Sequence, residues 1–163
     1  MLARLPLEIS LRLPDGTRVL LVHAQPGSDE GNGLNPGMSD ADVQAQITGC
    51  EADLICIGHF HKAMDRVVGD VRIINPGSVS NPSSGTDLRP TYAMLHADAA
   101  GYRVCFYRVD YDYTADIEAV KRCGIAGADF INRALSGQLH VGWMDAWDGV
   151  RHTPVFQRAK AGD

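Results

Sequence analysis

The chain has 163 residues and a mass of 17.6 kDa, the size of one globular domain. Its 45% apolar and 21% charged content matches ordinary soluble usage and excludes collagen, disorder and coiled coil. Twenty acidic against fifteen basic residues leave a net charge of −5, with no basic patch of the kind a nucleic-acid surface needs; Lys121-Arg122 reads as a helix end. No apolar run approaches the ~20 residues of a membrane span. Met1 to Pro6 has neither a long apolar stretch nor a small-residue cleavage site, so the expected location is cytoplasmic. The four cysteines, Cys50, Cys56, Cys105 and Cys123, form no C-x-x-C pair, which excludes a zinc ribbon and a thioredoxin motif. Buried free thiols in a reducing compartment are expected instead.

Leu7 to Leu13 alternates apolar and polar residues and predicts a half-buried strand. Pro14-Asp15-Gly16 supplies a turn, and Thr17 to His23 returns as a second strand, completing a hairpin. Residues 24–38 are rich in glycine and proline and predict a long loop, best taken as a mobile flap. Ser39 is the expected N-cap of a helix running to about Thr48, with Asp40 and Asp42 in its first turn. Asp53 to Ile57 is a short apolar run. Strand, helix, strand is a crossover unit, so residues 17–23 and 53–57 are expected as parallel neighbours with their C-terminal ends on one rim.

Met64–Val68 and Val71–Ile74 form a second predicted hairpin around Gly69-Asp70, closed by Asn75-Pro76-Gly77-Ser78. Two further strands are predicted over Thr91–His96 and Tyr102–Val109, then a helix capped by Thr114 and ending near Cys123, then a short helix over Ala128–Leu135. Residues 136–163, with Trp143 and Trp147, form an unassigned tail, so the expected organisation is one unit over residues 1–135 followed by that tail.

Gly58-His59-Phe60-His61 carries the chemistry. Two histidines at i and i+2 just past a buried strand can aim both imidazoles at the rim, and neutral imidazole is the commonest protein ligand for transition metals. Glycine before them allows a close turn. Alone an H-x-H is more often a surface feature than a metal site. His23 ends the neighbouring strand, and three histidines converging at one rim are hard to explain as packing. Asn75, Gly77 and Ser78 are candidate substrate contacts through backbone N–H groups, although a turn closing a strand needs no such role. Lys62 and Arg66 could meet a phosphate or be plain hairpin side chains. Asp29 and Glu30 could reach a metal or simply be solvated. His96, His140 and His152 have no motif around them and read as surface residues. The glycine-rich loop lacks the Gly-Lys-Ser/Thr ending of a P-loop, and no G-x-S-x-G elbow is present.

Val22-His23-Ala24, Gly58-His59-Phe60-His61 and Asn75-Pro76-Gly77-Ser78-Val79, with Thr91-Tyr92-Ala93-Met94 and Tyr111-Asp112 after them, resemble the second half of a calcineurin-like metallophosphoesterase of the small bacterial and archaeal phosphodiesterase branch. The resemblance covers residues 7 to about 135. It implies an α/β fold, part of a four-layer αββα sandwich. It also implies a phosphoric ester hydrolase that uses two divalent transition-metal ions (Mn, Fe, Ni, Zn or Co) and a bridging hydroxide. His23 and His59 are assigned by it to one ion and His61 to the other. Phe60 departs from the family's common threonine.

The family's Asp-x-His, Gly-Asp-x-x-Asp and Gly-Asn-His motifs have no counterpart here, so the N-terminal half of the fold is expected to be missing and no catalytic residue is identified in this half. Three neutral histidines leave two dications without a carboxylate to offset them. The chain alone is therefore expected to be a weak mononuclear metal binder, inactive by itself, with an unpaired sheet edge and an uncovered apolar face. Its expected partners are a phosphate-ester substrate and either the missing half or a second copy. The alternative is a degenerate, non-enzymatic half-domain that binds a partner or dimerises.

Overall fold

A computed structural model describes residues 4–80, 87–136, 138, 152 and 154–160. The chain order is β1 (Glu8–Arg12), β2 (Arg18–Val22), α1 (Asp40–Ile47), β3 (Leu54–Cys56), β4 (Met64–Val68), β5 (Val71–Asn75), β6 (Thr91–Asp98), β7 (Gly101–Asp110), α2 (Tyr113–Cys123), α3 (Ala128–Leu135) and β8 (Phe156–Lys160). Both expected hairpins form, and β2 and β3 are parallel neighbours. The first sheet has the order β1-β2-β3-β5-β4 and the second β6-β7-β8. Among the described residues no helix is long and apolar enough to cross a membrane.

The run of apolar residues in β2 and β3 is explained by burial on both faces. Val19 and Leu54 face the second sheet, where they pack with Ile74 and Phe106 and with the half-buried Leu95, Val104 and Phe156. Leu20 and Ile55 face the other way, onto Val43 and Ile47 of α1 and onto Met64 and Ile73. Helix, sheet and sheet thus make three layers. No residue of α2 or α3 is buried, so these two helices do not form a fourth packed layer of the expected sandwich. Phe130 of α3 and Ile125 in the connection between the two helices stay exposed.

Ser39 caps α1 as expected, its hydroxyl accepting the Asp42 N–H at 3.1 Å. The cap of α2 is Asp112 rather than Thr114: its carboxylate accepts the Thr114 N–H at 3.0 Å. Both residue types cap well, and the helix begins two residues earlier than a Thr114 cap required. The tail also holds more than was expected, because β8 lies parallel to β7, with Phe156 opposite Phe106. Its pairing partner is some fifty residues away in sequence, and Phe156-Gln157-Arg158-Ala159 has no clean alternation to announce it. Trp143, Trp147 and His140 lie outside the described residues. The cysteines are unpaired, but none is fully buried and Cys123 is exposed; burial pushes the Cys56 thiol up to about 11, which keeps it a protonated, inert side chain.

Acidic groups tie the loops to the strands. Asp53 accepts from the Arg18 backbone N–H at 2.8 Å and from its guanidinium at 2.7 and 3.1 Å, which holds its carboxyl at about 2. Asp87 is likewise held at about 2, first by Arg89 and then by Arg108, and Arg89 also reaches Asp110 at 3.2 Å. Because the folded value lies below the ordinary 3.8, the stability Asp87 contributes is complete above about pH 4 and is lost as pH falls toward 2. Acid unfolding followed by circular dichroism is expected to be shallower over that window in Asp87→Asn, with stability at pH 7 lowered. An unchanged acid limb would remove the assignment.

Candidate metal centre

The parallel register of β2 with β3 sets Leu21 opposite Cys56, so both strands leave the sheet at one rim. The ladder continues past their ends: Gly58 N–H donates to the His23 carbonyl at 2.8 Å, and Ile57 N–H donates to Ile74 at 2.9 Å. Beyond these bonds the backbone turns sharply. Phe60 N–H donates to the Gly58 carbonyl at 2.7 Å, closing a three-residue turn centred on His59, whose φ is 60°. The expected role of Gly58 is therefore corrected. A Cβ there would meet His23 Nδ1 at an ordinary 3.6 Å, and it is His59 that takes up the left-handed conformation. That region disfavours a branched Cβ but tolerates histidine at a cost of roughly 1–3 kcal/mol.

Asn75, at the end of β5 and 1% exposed, compensates for that strain. Its amide donates to the Gly58 carbonyl at 2.7 Å and to the Phe60 carbonyl at 2.8 Å, on both sides of His59, while its Oδ1 accepts the Gly77 N–H at 2.9 Å. Ser78 N–H is taken by Thr91 Oγ1 at 3.0 Å. Gly77 has φ +90°, and a Cβ there would stand 2.0 Å from that hydroxyl, so only glycine fits. The polar groups of Asn75, Gly77 and Ser78 that were candidate substrate contacts are thus committed to shaping the turn.

The strained turn brings two rings together. His59 Nδ1 stands 3.3 Å from His23 Nε2, with the ring planes at 86°. His59 Nε2 lies 2.8 Å from the Gly31 carbonyl. That carbonyl can only accept, so Nε2 carries the proton and Nδ1 presents its lone pair toward His23. An outer partner that fixes the tautomer in this way is the usual arrangement behind a metal-ligating histidine. Two nitrogens bound to one ion at ~2.0–2.1 Å under a tetrahedral angle stand about 3.3–3.4 Å apart. The donor set of His23 and His59 therefore fits a single divalent ion.

His61 is exposed beyond the turn and does not join the pair. Among the described residues, no group of three or more His, Cys, Asp or Glu side chains is placed to hold a metal ion. Of the three histidines expected at the rim, His23 and His59 are in contact, and His61 forms no three-residue group with them among the described residues. Asp29 and Glu30 are exposed on the loop. Arg66 is withdrawn from any phosphate: its side chain is 2% exposed and pairs with Asp40. His96 is exposed, as expected, and the half-buried His152 accepts the Asp65 N–H through its carbonyl at 2.9 Å.

Loop 24–38 does reach the rim through Gly31, but it is anchored rather than a free flap. Leu34 is 1% exposed in the core beneath α1, its N–H donates to Ala24 at 2.9 Å, and buried Asn35 accepts the Gly37 N–H at 3.0 Å. Ala24, Leu34 and Met38 anchor the loop at irregular spacing, so the alternation that marks strands could not reveal it.

A parallel-strand rim presenting two paired imidazoles defines this as an α/β protein with a candidate site at the C-terminal ends of its strands. The chain belongs to the calcineurin-like phosphoesterase superfamily, whose domain model matches residues 2–100. Two solved structures share its fold. A hypothetical protein of Pyrococcus horikoshii has 18% identity and a TM-score of 0.69, the match covering 82% of this chain and 51% of that one. A metallophosphoesterase of Sphaerobacter thermophilus has 21% identity and a TM-score of 0.66, covering 85% and 61%. The chain thus spans about half to three-fifths of the length of these relatives. None of the curated proteins matches it.

Proposed function

We propose that this chain supplies the histidine side of a two-ion phosphodiesterase site in a cytoplasmic setting, and that it is inactive by itself. The observation that carries the reading is the 3.3 Å approach of His59 Nδ1 to His23 Nε2 with the proton of His59 held on the far side of the ring by Gly31. His23 and His59 hold one ion and His61, beyond the turn, contributes to the second. When bound, divalent ions of this class polarise phosphoryl oxygens and lower the pKa of a coordinated water. The chain's own contribution is positional. Asn75 keeps the 58–60 turn closed, Gly31 fixes the tautomer, and the β2–β3 register brings both imidazoles to one rim.

Neutral imidazoles do not offset the charge of two dications, and no carboxylate joins His23 and His59 among the described residues. Carboxylates from another stretch of polypeptide complete the site in this proposal. The expected result with Mn²⁺ and a p-nitrophenyl phosphodiester is therefore one bound ion of modest affinity and turnover no faster than free metal gives. Rapid metal-dependent turnover that disappears in His23→Ala would uphold the phosphodiesterase and overturn the inactivity. Absence of any histidine-dependent metal binding would overturn the whole reading.

A further inference from the structure

The outer edge of the first sheet, β1, is exposed along its whole length. Its inner-face residues Ile9 and Leu11 stand opposite Leu21 and Val19 and so continue the inter-sheet core, yet they are 51% and 41% exposed. An open, apolar edge strand is a template for another strand. We infer that the occupant is a second copy of this chain, paired antiparallel, β1 to β1, about a two-fold axis through Ser10.

Three observations select this partner and register. The first is hydrogen-bond parity. Leu13 N–H donates to Thr17 at 2.9 Å, whereas the Arg18 carbonyl accepts from Asp53 on the β3 side at 2.9 Å. Bonded and non-bonded pairs alternate along an antiparallel ladder. Ile9 and Leu11 are therefore the residues bonded to β2, and Glu8, Ser10 and Arg12 turn their N–H and C=O groups outward. A two-fold at Ser10 sets Ser10 against Ser10 and Glu8 against Arg12, so every outward group meets an outward group.

The second observation is charge. The same register places the Glu8 carboxylate of each protomer beside the Arg12 guanidinium of the other, twice per interface. Among the described residues Glu8 accepts the Gly27 N–H at 3.2 Å, and Arg12 donates to the Gly16 carbonyl at 2.7 Å, which leaves one carboxylate oxygen and several guanidinium N–H groups for the pair. The third is the apolar stripe: Ile9 falls opposite Leu11 on the inner face, covering surface that the second sheet leaves open. Such an interface is isologous and closes at two copies. This inference does not rest on the phosphodiesterase reading.

The test is the mass of the 163-residue chain in solution by sedimentation equilibrium at tens of micromolar. The expected species is about 35 kDa, twice the 17.6 kDa protomer. Glu8→Arg and Arg12→Glu each place like charges opposite one another at two positions and are expected to weaken dimerisation roughly tenfold or more. An equimolar mixture of the two variants restores opposite charges at both positions and is expected to recover the dimer as a heterodimer. In the wild type, the amides of Glu8, Ser10 and Arg12 are expected to gain exchange protection as concentration rises, a readout independent of any variant. A monomeric wild type, a dimer indifferent to both charge reversals, or an edge whose amides exchange freely in the dimer would each overturn the proposal.

Discussion

His59→Ala is expected to weaken binding of the first divalent ion by more than the ~100-fold that loss of an outer-shell partner costs, and His23→Ala is expected to do the same. The two rings supply the pair of nitrogens 3.3 Å apart, and a single remaining imidazole is an ordinary surface histidine. Titration calorimetry with Zn²⁺ or Mn²⁺, together with bound-metal analysis, reads the effect directly. His61→Ala is the internal control, because its ring lies apart from the pair, and the first binding event should keep its affinity. Equal losses in all three variants would mean that the histidines share one ion and would end the two-ion assignment. Unchanged metal content in His23→Ala and His59→Ala would retire the site itself.

Asn75→Ala is expected to destabilise the protein by about 3 kcal/mol, since a buried donor or acceptor left without its partner costs ~1–3 kcal/mol and this side chain serves three. The carbonyls of Gly58 and Phe60 and the N–H of Gly77 all lose their bonds to it, with entering water recovering part of the loss. For a chain of this length, each kcal/mol lowers the melting temperature by roughly 2–4 °C. The expected drop is therefore about 10 °C by differential scanning calorimetry. The same substitution releases His59 from its left-handed conformation, so metal affinity should fall even though Asn75 supplies no ligand. A variant that melts lower but binds metal with full affinity would show that the turn holds without its clamp. One that keeps its stability would show that the three bonds contribute nothing net.

The histidine pair follows from local composition and topology. Apolar runs at 17–23 and 53–57 separated by a capped helix leave a right-handed parallel crossover as the favoured arrangement, which brings residue 23 and residues 58–61 to one rim. The motifs containing these residues then pointed to the family whose domain model matches residues 2–100. The hairpin at Gly69-Asp70 and the cap at Ser39 were equally legible, because turn and cap chemistry is confined to a few neighbouring residues. The parts that escaped are of another kind. β8 is stabilised by β7 and by Phe106, partners distant in sequence, and its own five residues carry no periodic signal. Loop 24–38 is anchored by Leu34 together with buried Ala24 and Asn35, positions that share no period.

What the order of residues determined by itself is therefore the sheet that positions the site and the residue types available at its rim, since both depend on periodicity, caps and turns that act within a few positions. Which of those residues meet was decided only in three dimensions. The left-handed turn at His59, clamped by Asn75 from another strand, swings one imidazole onto His23 and leaves His61 outside. A backbone dihedral held by a distant hydrogen bond leaves no trace in the spacing of histidines.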